Sequence, residues 1–504
     1  MRIKKKELLE MIDQLIEINT LIDKDGSFPE GVDAPECQEL AIKLGNFIED
    51  KYKESNPKDI IHSLEDYCEL IYQMSLFENE EQTKLHKLSK KVKAVLLSAR
   101  QGIEYDLPKD RKQVVFLPYK VSMWDSLESI WMAAHRDPDV DDYVIPIPYF
   151  DRNPDGTFAK MHYEGDQYPD YVPITSWQEY SIPDEKPDVV FIHNPYDKNN
   201  YVTSVHPAFY SSELKKYTDC LVYVPYYVLG KVPPDDPDAI AGMTHMVTTD
   251  GVFNSDLTFV QDEDMEKIFV NELTKFFKEN ALTCDRRMLE DKIHGFGSPK
   301  YDRVLHMNDE NTPVFDEWKK IINEKAPVLT IFLNTSVGAL LRATGDEYFK
   351  KLLSFFELCK EKNFLPVWRP HPLTRSTLLS MRPGLIRVYD DILRTFLEEK
   401  TGILDLSPSM YAAMRISDIY YGDASSVEWL FRAAGKKVIR RGENGGKGHL
   451  VTKEVDEPVE DEFLEIEKSA EEKAVDKNKK FTDAGDTETV GKKIYDFTMS
   501  KVGA

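Results

Sequence analysis

Over the first hundred residues, apolar positions recur every three to four places, as in Leu8, Leu9, Ile12, Leu15 and Ile16 and again in Leu64, Tyr67, Leu70 and Ile71. That spacing gathers side chains on one face of a helix, so residues 1–105 are expected to form a helical region. From Val114 the pattern changes to short β-branched and aromatic runs, each ended by turn residues and followed by helix-like stretches. A parallel sheet with crossover helices requires that alternation. A first series of strands is expected at 114–118, 143–147, 189–192 and 221–224, with 246–248 as a further candidate, followed by a helix over 262–279 opened by Asp262 or Asp264. A second series is expected at 328–333, 364–368, 419–421 and 437–439, with helices near 347–362 and 409–414, from about Ser426, and at 490–499.

The expected fold class is therefore α/β: two αβα domains in tandem, 106–290 and 291–450, preceded by the helical region and followed by a charged segment and last helix over 451–504. The length of 504 residues suits several domains, and 41% hydrophobic residues supply core material for a globular protein. Acidic residues, 89 against 65 basic, give a net charge of −24, which makes nucleic acid or an anionic lipid surface a poor partner for the chain as a whole. Any phosphate must be met by a local site. The five cysteines are scattered without C-x-x-C spacing, so no metal or redox pair is expected. The charged amino terminus, Met1-Arg2-Ile3-Lys4-Lys5-Lys6, lacks the apolar stretch of a signal peptide. The longest uncharged run, 326–341, is too short and too polar to span a bilayer. A cytoplasmic location is expected, with at most a peripheral association at the inner face of the membrane.

Three segments carry candidate chemistry. Gly422-Asp423-Ala424-Ser425-Ser426-Val427-Glu428 joins an expected strand to an expected helix, where free amides and hydroxyls suit phosphate. The same residues also read as a capping box, Ser425-x-x-Glu428. Arg369-Pro370-His371-Pro372 follows an expected strand, at the sheet edge where ligands bind in open α/β folds; a rigid turn with an incidental histidine is the alternative. Gly297-Ser298-Pro299-Lys300-Tyr301-Asp302 opens the second domain and offers a permissive glycine and a lysine for phosphate, or simply an interdomain turn.

Together and in this order, the three segments resemble the G-x-P-[RK]-x-D, R-x-H-P and D-x-S-S-V segments of the CDP-glycerol glycerophosphotransferase family, the teichoic-acid primases and polymerases, over roughly residues 290–442. The resemblance implies a GT-B fold, two Rossmann-like domains facing a cleft, with CDP-glycerol or another nucleotide-diphosphate donor bound mainly by the second. It places His371 at the donor pyrophosphate and Ser425 and Ser426 at the helix holding phosphate oxygens. Asp423 lies beside them, with Gly297, Pro299, Lys300 and Arg369 on the donor side. The implied reaction moves glycerol phosphate to a glycan or lipid-linked acceptor and needs no cofactor.

Two departures stand out. Asn334-Thr335-Ser336 occupies the place of the family's T-W-R segment, and no W-H-G triplet supplies its acceptor-side histidine. In the first domain His193, after the strand 189–192, is the expected base, oriented by Asp197; His206 is the lesser candidate. Lys120, Trp124 and Asp125 are expected to line the acceptor side, with Ser122 as a helix cap. Residues 442–448 are glycine-rich around Lys447 without the register of a nucleotide-binding P-loop, and suggest a mobile lid. The pairs Asp139-x-Asp141 and Asp262-x-Asp264 are explained by a loop and a helix start, so no essential metal is expected. A hairpin-like loop is expected over 150–158. Two rival functions fit the same expected fold: a nucleotide-sugar glycosyltransferase, and a nucleotide-binding or scaffold protein without catalysis.

Overall fold

A computed structural model describes residues 3–77, 82–153, 155–200, 203–343, 346–371, 374–441, 462–475 and 488–502. Pro372, the glycine-rich stretch 442–448 and residues 476–480 lie outside them. The chain divides into two compact units, Met1–Lys112 and Gln113–Ala504. In the first, helices α1 (Lys5–Asp25), α2 (Ala34–Lys51), α3 (Lys58–Ser75) and α4 (Gln82–Gln101) bury one apolar stripe each, including Leu8, Leu15, Leu44, Leu64, Tyr67 and Leu96. Full burial of one such side chain contributes about 1.5–3 kcal/mol. Helix α2 opens with a reciprocal cap: the Glu36 amide donates to Asp33 at 2.9 Å and the Asp33 amide to Glu36 at 3.3 Å. Helix α1 stops at Gly26, whose φ of 73° only glycine adopts readily.

The second unit contains two parallel sheets. Strands β1 (Lys112–Leu117), β2 (Val140–Val144), β5 (Val189–Ile192), β7 (Cys220–Tyr223), β8 (Leu257–Phe259) and β9 (Ile293–His294) form the order β2-β1-β5-β7-β8-β9. Strands β10 (Leu329–Thr335), β11 (Phe364–Pro370), β12 (Ile403–Leu404), β13 (Ile419–Gly422) and β14 (Lys437–Arg440) form the order β12-β11-β10-β13-β14. A small antiparallel sheet, β4-β3-β6, is built from β3 (Tyr149–Arg152), β4 (Phe158–His162) and β6 (Thr203–Val205); β3 and β4 form the expected hairpin.

Both large sheets are covered on both faces. Successive residues of β1 and β5 alternate between two cores, Val115, Leu117, Val190 and Ile192 in one and Val114, Phe116, Val189 and Phe191 in the other. This explains why these strands are continuous apolar runs. The fold class is α/β and GT-B-like: two Rossmann-like lobes in one unit, with a separate helical amino-terminal unit. In each lobe the chain starts at an inner strand, builds outward on one side, then crosses to the other. The crossings place the topological switch points between β1 and β5 and between β10 and β13.

Residues 246–248 correct one expectation. Met246 and Val247 close the helix Pro237–Val247, capped by Asp236, and the next strand is β8. Two adjacent apolar residues fit the inner face of a last helical turn as well as a strand. Helix Glu263–Glu279 is capped by Asp262, whose carboxylate accepts the Met265 amide at 2.8 Å. Beyond 451, helix Glu462–Val475 packs Ile466 and Ala470 on the second lobe, whereas the last helix, Val490–Lys501, packs Ile494 and Tyr495 into the first.

Candidate functional site

The carboxyl edge of the second sheet gathers two of the three motif segments. Strand β10 pairs with β11 through Asn334–Arg369 and Thr335–Pro370, and with β13 through Asn334–Gly422. His371 and the Gly422 turn therefore flank the end of one strand, on either side of it, at adjacent spacings of about 4.8 Å. Gly422 has a steric reason: a Cβ there would lie 2.5 Å from the Asn334 carbonyl oxygen. Ser425 is the N-cap of helix Ser426–Ala433; its Oγ accepts the Val427 amide at 3.2 Å and the Asn334 side-chain amide at 3.0 Å. Ser426 is exposed. The other half of the expected capping box is absent. Glu428 is fully buried and instead receives Arg432 at 3.0 Å and Arg440 at 2.9 Å, which leaves the first-turn amides without a carboxylate from this helix.

Asp423 is 5% exposed and works as a tie. One carboxylate oxygen accepts the Ser336 amide at 2.6 Å and the Tyr348 hydroxyl at 2.7 Å, and Arg441 approaches the other at 3.7 Å. It thus fixes the loop after β10 against the loop after β13. Ser336 in turn caps helix Val337–Arg342 through the Ala339 amide at 3.1 Å. The Arg369 guanidinium is committed to the buried Asp405 and to the Ser407 carbonyl at 3.0 Å. His371 follows it, anchored by its own amide to the Thr335 carbonyl at 3.1 Å. The residue as a whole is exposed, yet packed atoms around the ring, and then the Arg369 charge, hold its imidazole below the ordinary value.

The third segment, expected on the donor side, lies away from these two and makes its own contacts. Lys300 is 5% exposed, and its ammonium binds both oxygens of Asp125, at 2.6 and 2.7 Å. The Tyr411 hydroxyl also donates to Asp125. Pro299 and Lys300 open the helix Pro299–Leu305. On the same helix Arg303 lies 3.4 Å from Glu128, and Asp302 accepts Ser129 Oγ at 2.7 Å and the amides of Val490 and Gly491 at 2.9 and 2.8 Å. Gly297 has a φ of 117° and a Cβ there would lie 2.8 Å from Val490; close chain crossing requires the glycine. Lys300, on a helix that Pro299 opens, and Asp125 therefore form a buried strut between the lobes. A charge pair this deeply buried is costly to break because it leaves one ion unpaired.

His193, the expected base, is enclosed. It is 0% exposed and fills the switch point of the first sheet, its Nε2 accepting the Tyr119 amide at 3.1 Å. Ser126 Oγ donates to the Met123 carbonyl at 2.8 Å, so the 3.0 Å contact between Ser126 Oγ and His193 Nδ1 is donated by the ring. Both nitrogens are used. Burial first, then the Lys300 charge, pushes the imidazole down to about 3. Asp197 does not orient it: its carboxylate accepts the Ser211 amide and hydroxyl at 2.8 and 2.7 Å. His206 is a turn cap, accepting the Ala208 amide at 3.2 Å. Trp124 lies in the core against Trp131 and Tyr168.

Lys120 remains at the edge, half-buried, its ammonium 4.8 Å from the Tyr149 ring centroid. The loop beyond β7 brings both carboxyl edges to one interlobe boundary: a Cβ on Gly230 would lie 3.1 Å from Trp429, which is on the helix that Ser425 caps. Sequence reasoning named Asn334 and Ser336 only as a departure from the family pattern, and missed Tyr348 beside Asp423 and the pair Asp151 and His162 in the hairpin. Only the strand-end position of Asn334 and Ser336 offered a signal.

No family model matches the chain, and no curated protein matches it by sequence. Among solved structures, the chain is similar to the UDP-GlcNAc 2-epimerase of Methanocaldococcus jannaschii, at 14% identity over 77% of this chain and 99% of that one, with a TM-score of 0.45. It is similar to the UDP-N-acetylglucosamine 2-epimerase of Rickettsia bellii at 14% identity, 78% and 97% coverage and a TM-score of 0.39. It is also similar to the wall teichoic acid polymerase TagF at 13% identity, 84% and 98% coverage and a TM-score of 0.40. Among the described residues no group of histidine, cysteine and carboxylate side chains is arranged to hold a metal, and no helix is long and apolar enough to cross a membrane.

Proposed function

We propose that the protein transfers glycerol phosphate from CDP-glycerol to a hydroxyl acceptor in the synthesis of a surface glycan of the teichoic-acid kind. The supporting observation is the meeting of His371, Ser425 and Ser426 at the carboxyl edge of the second sheet, beside the switch point between β10 and β13. On this reading the first-turn amides of the helix Ser426–Ala433 and the Ser426 hydroxyl hold the diphosphate. His371, neutral at pH 7 because its proton affinity is lowered, donates one ring N–H to an oxygen of the departing phosphate. Asp423 and Asn334 act at one remove, fixing the two loops. Arg369 supplies rigidity through Asp405 more than charge to the ligand. Catalysis is then mostly placement and charge stabilisation, as in phosphoryl transfer generally.

A nucleotide-sugar donor is the second reading. It is favoured by Asn334-Thr335-Ser336, which puts no arginine where the family it resembles has one. A donor panel of CDP-glycerol and UDP-glucose, read by nucleotide release, separates the two. CMP release from CDP-glycerol that is lost in His371→Ala supports the proposal; turnover that survives the substitution contradicts it, and nucleotide binding without turnover marks a protein that has lost catalysis.

A further inference from the structure

With His193 sealed in the core, the first lobe still holds an oriented histidine. Tyr149 and His162 are cross-strand partners in β3 and β4, with rings stacked at 5.1 Å and 17°. His162 Nε2 lies 2.6 Å from Asp151 Oδ2, with the histidine side chain 28% exposed. A carboxylate can only accept, so the ring carries its proton on Nε2 and presents the lone pair of Nδ1. Nδ1 has no partner among the described residues. The same Tyr149 ring lies under the Lys120 ammonium, and its hydroxyl donates to Glu164 at 2.7 Å. Glu164 in turn accepts the Val121 amide at 2.9 Å, and Tyr119 packs edge-on to Tyr149 at 5.5 Å. These residues connect the dyad to the end of β1, at the switch point of the first sheet. Lys120 has no ion pair among the described residues.

We propose that Asp151, His162, Lys120 and Tyr149 form the acceptor subsite, in which His162 is the general base for a hydroxyl of a polyol or sugar. This rests on the transferase reading above. The acceptor O–H proton passes to Nδ1 as its oxygen forms a bond to the glycerol-bearing phosphorus. The bond from that phosphorus to the bridging oxygen breaks, and its electron pair leaves with CMP. Asp151 stabilises the resulting imidazolium. Lys120 offers its charge to an acceptor oxygen over an aromatic floor suited to a sugar face. The groups bearing on His162 are Asp151 and Tyr149 from β3, Glu164 from the loop beyond β4 and Lys120 from the loop after β1.

The test is CMP release from CDP-glycerol, with free glycerol and methyl N-acetylglucosaminide as acceptor probes, across pH 5–9. His162→Ala is expected to lose about 10²- to 10⁴-fold in transfer, to lose the acidic limb of the pH profile, and to regain turnover when imidazole is added. Asp151→Asn, which keeps the ring but removes its orienting carboxylate, is expected to shift that limb, and carries the test if His162→Ala does not fold. A folded His162→Ala variant within threefold of wild type, or one that imidazole does not rescue, overturns the base. A wild-type protein that turns over neither CDP-glycerol nor UDP-glucose overturns the transferase reading instead.

Discussion

The two sheet edges share one topology and differ in what fills the switch point. In the second lobe the end of β10 has backbone amides and small hydroxyls on its β13 side and His371 on its β11 side, with the local carboxylate, Asp423, turned to bracing. In the first lobe the corresponding crevice between β1 and β5 is plugged by His193 and Tyr119. A strand end is thus only an opportunity for chemistry. Where the side chain there is buried and finds two internal partners, as at His193, the position becomes a strut; at His371 the residue stays exposed at the edge of the sheet.

The sharpest way to break this contrast is to exchange the roles of the two histidines. His371→Ala is expected to lower nucleotide release by about 10²- to 10⁴-fold with an unchanged melting temperature. His193→Leu is expected to keep donor binding while destabilising the fold, because the Tyr119 amide loses its acceptor, at a cost of about 1–3 kcal/mol. Calorimetry beside a donor assay reads both.

The interlobe strut comes next. Lys300→Met leaves the buried Asp125 carboxylate with the Tyr411 hydroxyl alone, and a loss of about 3–5 kcal/mol in urea unfolding is expected. The double variant Lys300→Met, Asp125→Leu should recover much of it. If the single variant binds donor less tightly while remaining as stable as wild type, Lys300 belongs to the ligand site after all.

A pH effect sharpens the reading of His193. Its folded value of about 3 lies below the ordinary 6.5, so above pH 6.5 neither state holds the proton and this stabilisation is complete. As pH falls from 6.5 toward 3 the unfolded chain takes up a proton that the fold refuses, and stability declines by at most about 1.4 kcal/mol per pH unit. Urea midpoints at pH 7 and pH 5 should therefore differ more in wild type than in His193→Leu. The smallest effect is expected at the helix start, where Ser425→Ala removes a cap and costs about 1 kcal/mol.

Much of the fold was legible because its strands are buried on both faces and read as apolar runs between turns. The sequence also pointed to the edge around His371 and Ser425, since a strand followed by a rigid or small-residue turn is a local pattern. What it did not show are partnerships between distant residues. Lys300 looks like a phosphate ligand until Asp125, 175 positions away, claims its charge. Arg369 looks available until Asp405 binds it. His193 and His162 both follow or lie in strands, and only the packing around them separates a sealed ring from an oriented one. Glu428 matched a capping box, but Arg432 and Arg440 outcompeted the helix amides for it.

The central claim is that the carboxyl edge of the second sheet, at His371, Ser425 and Ser426, holds a nucleotide diphosphate. Thermal unfolding with CDP-glycerol and UDP-glucose tests it most directly, since a ligand at a hundred times its Kd stabilises the fold by about 2.7 kcal/mol. The account predicts a raised midpoint with CDP-glycerol that is diminished in a His371→Ala, Ser426→Ala double variant. A midpoint that neither donor moves, or one raised equally in wild type and double variant, would contradict it.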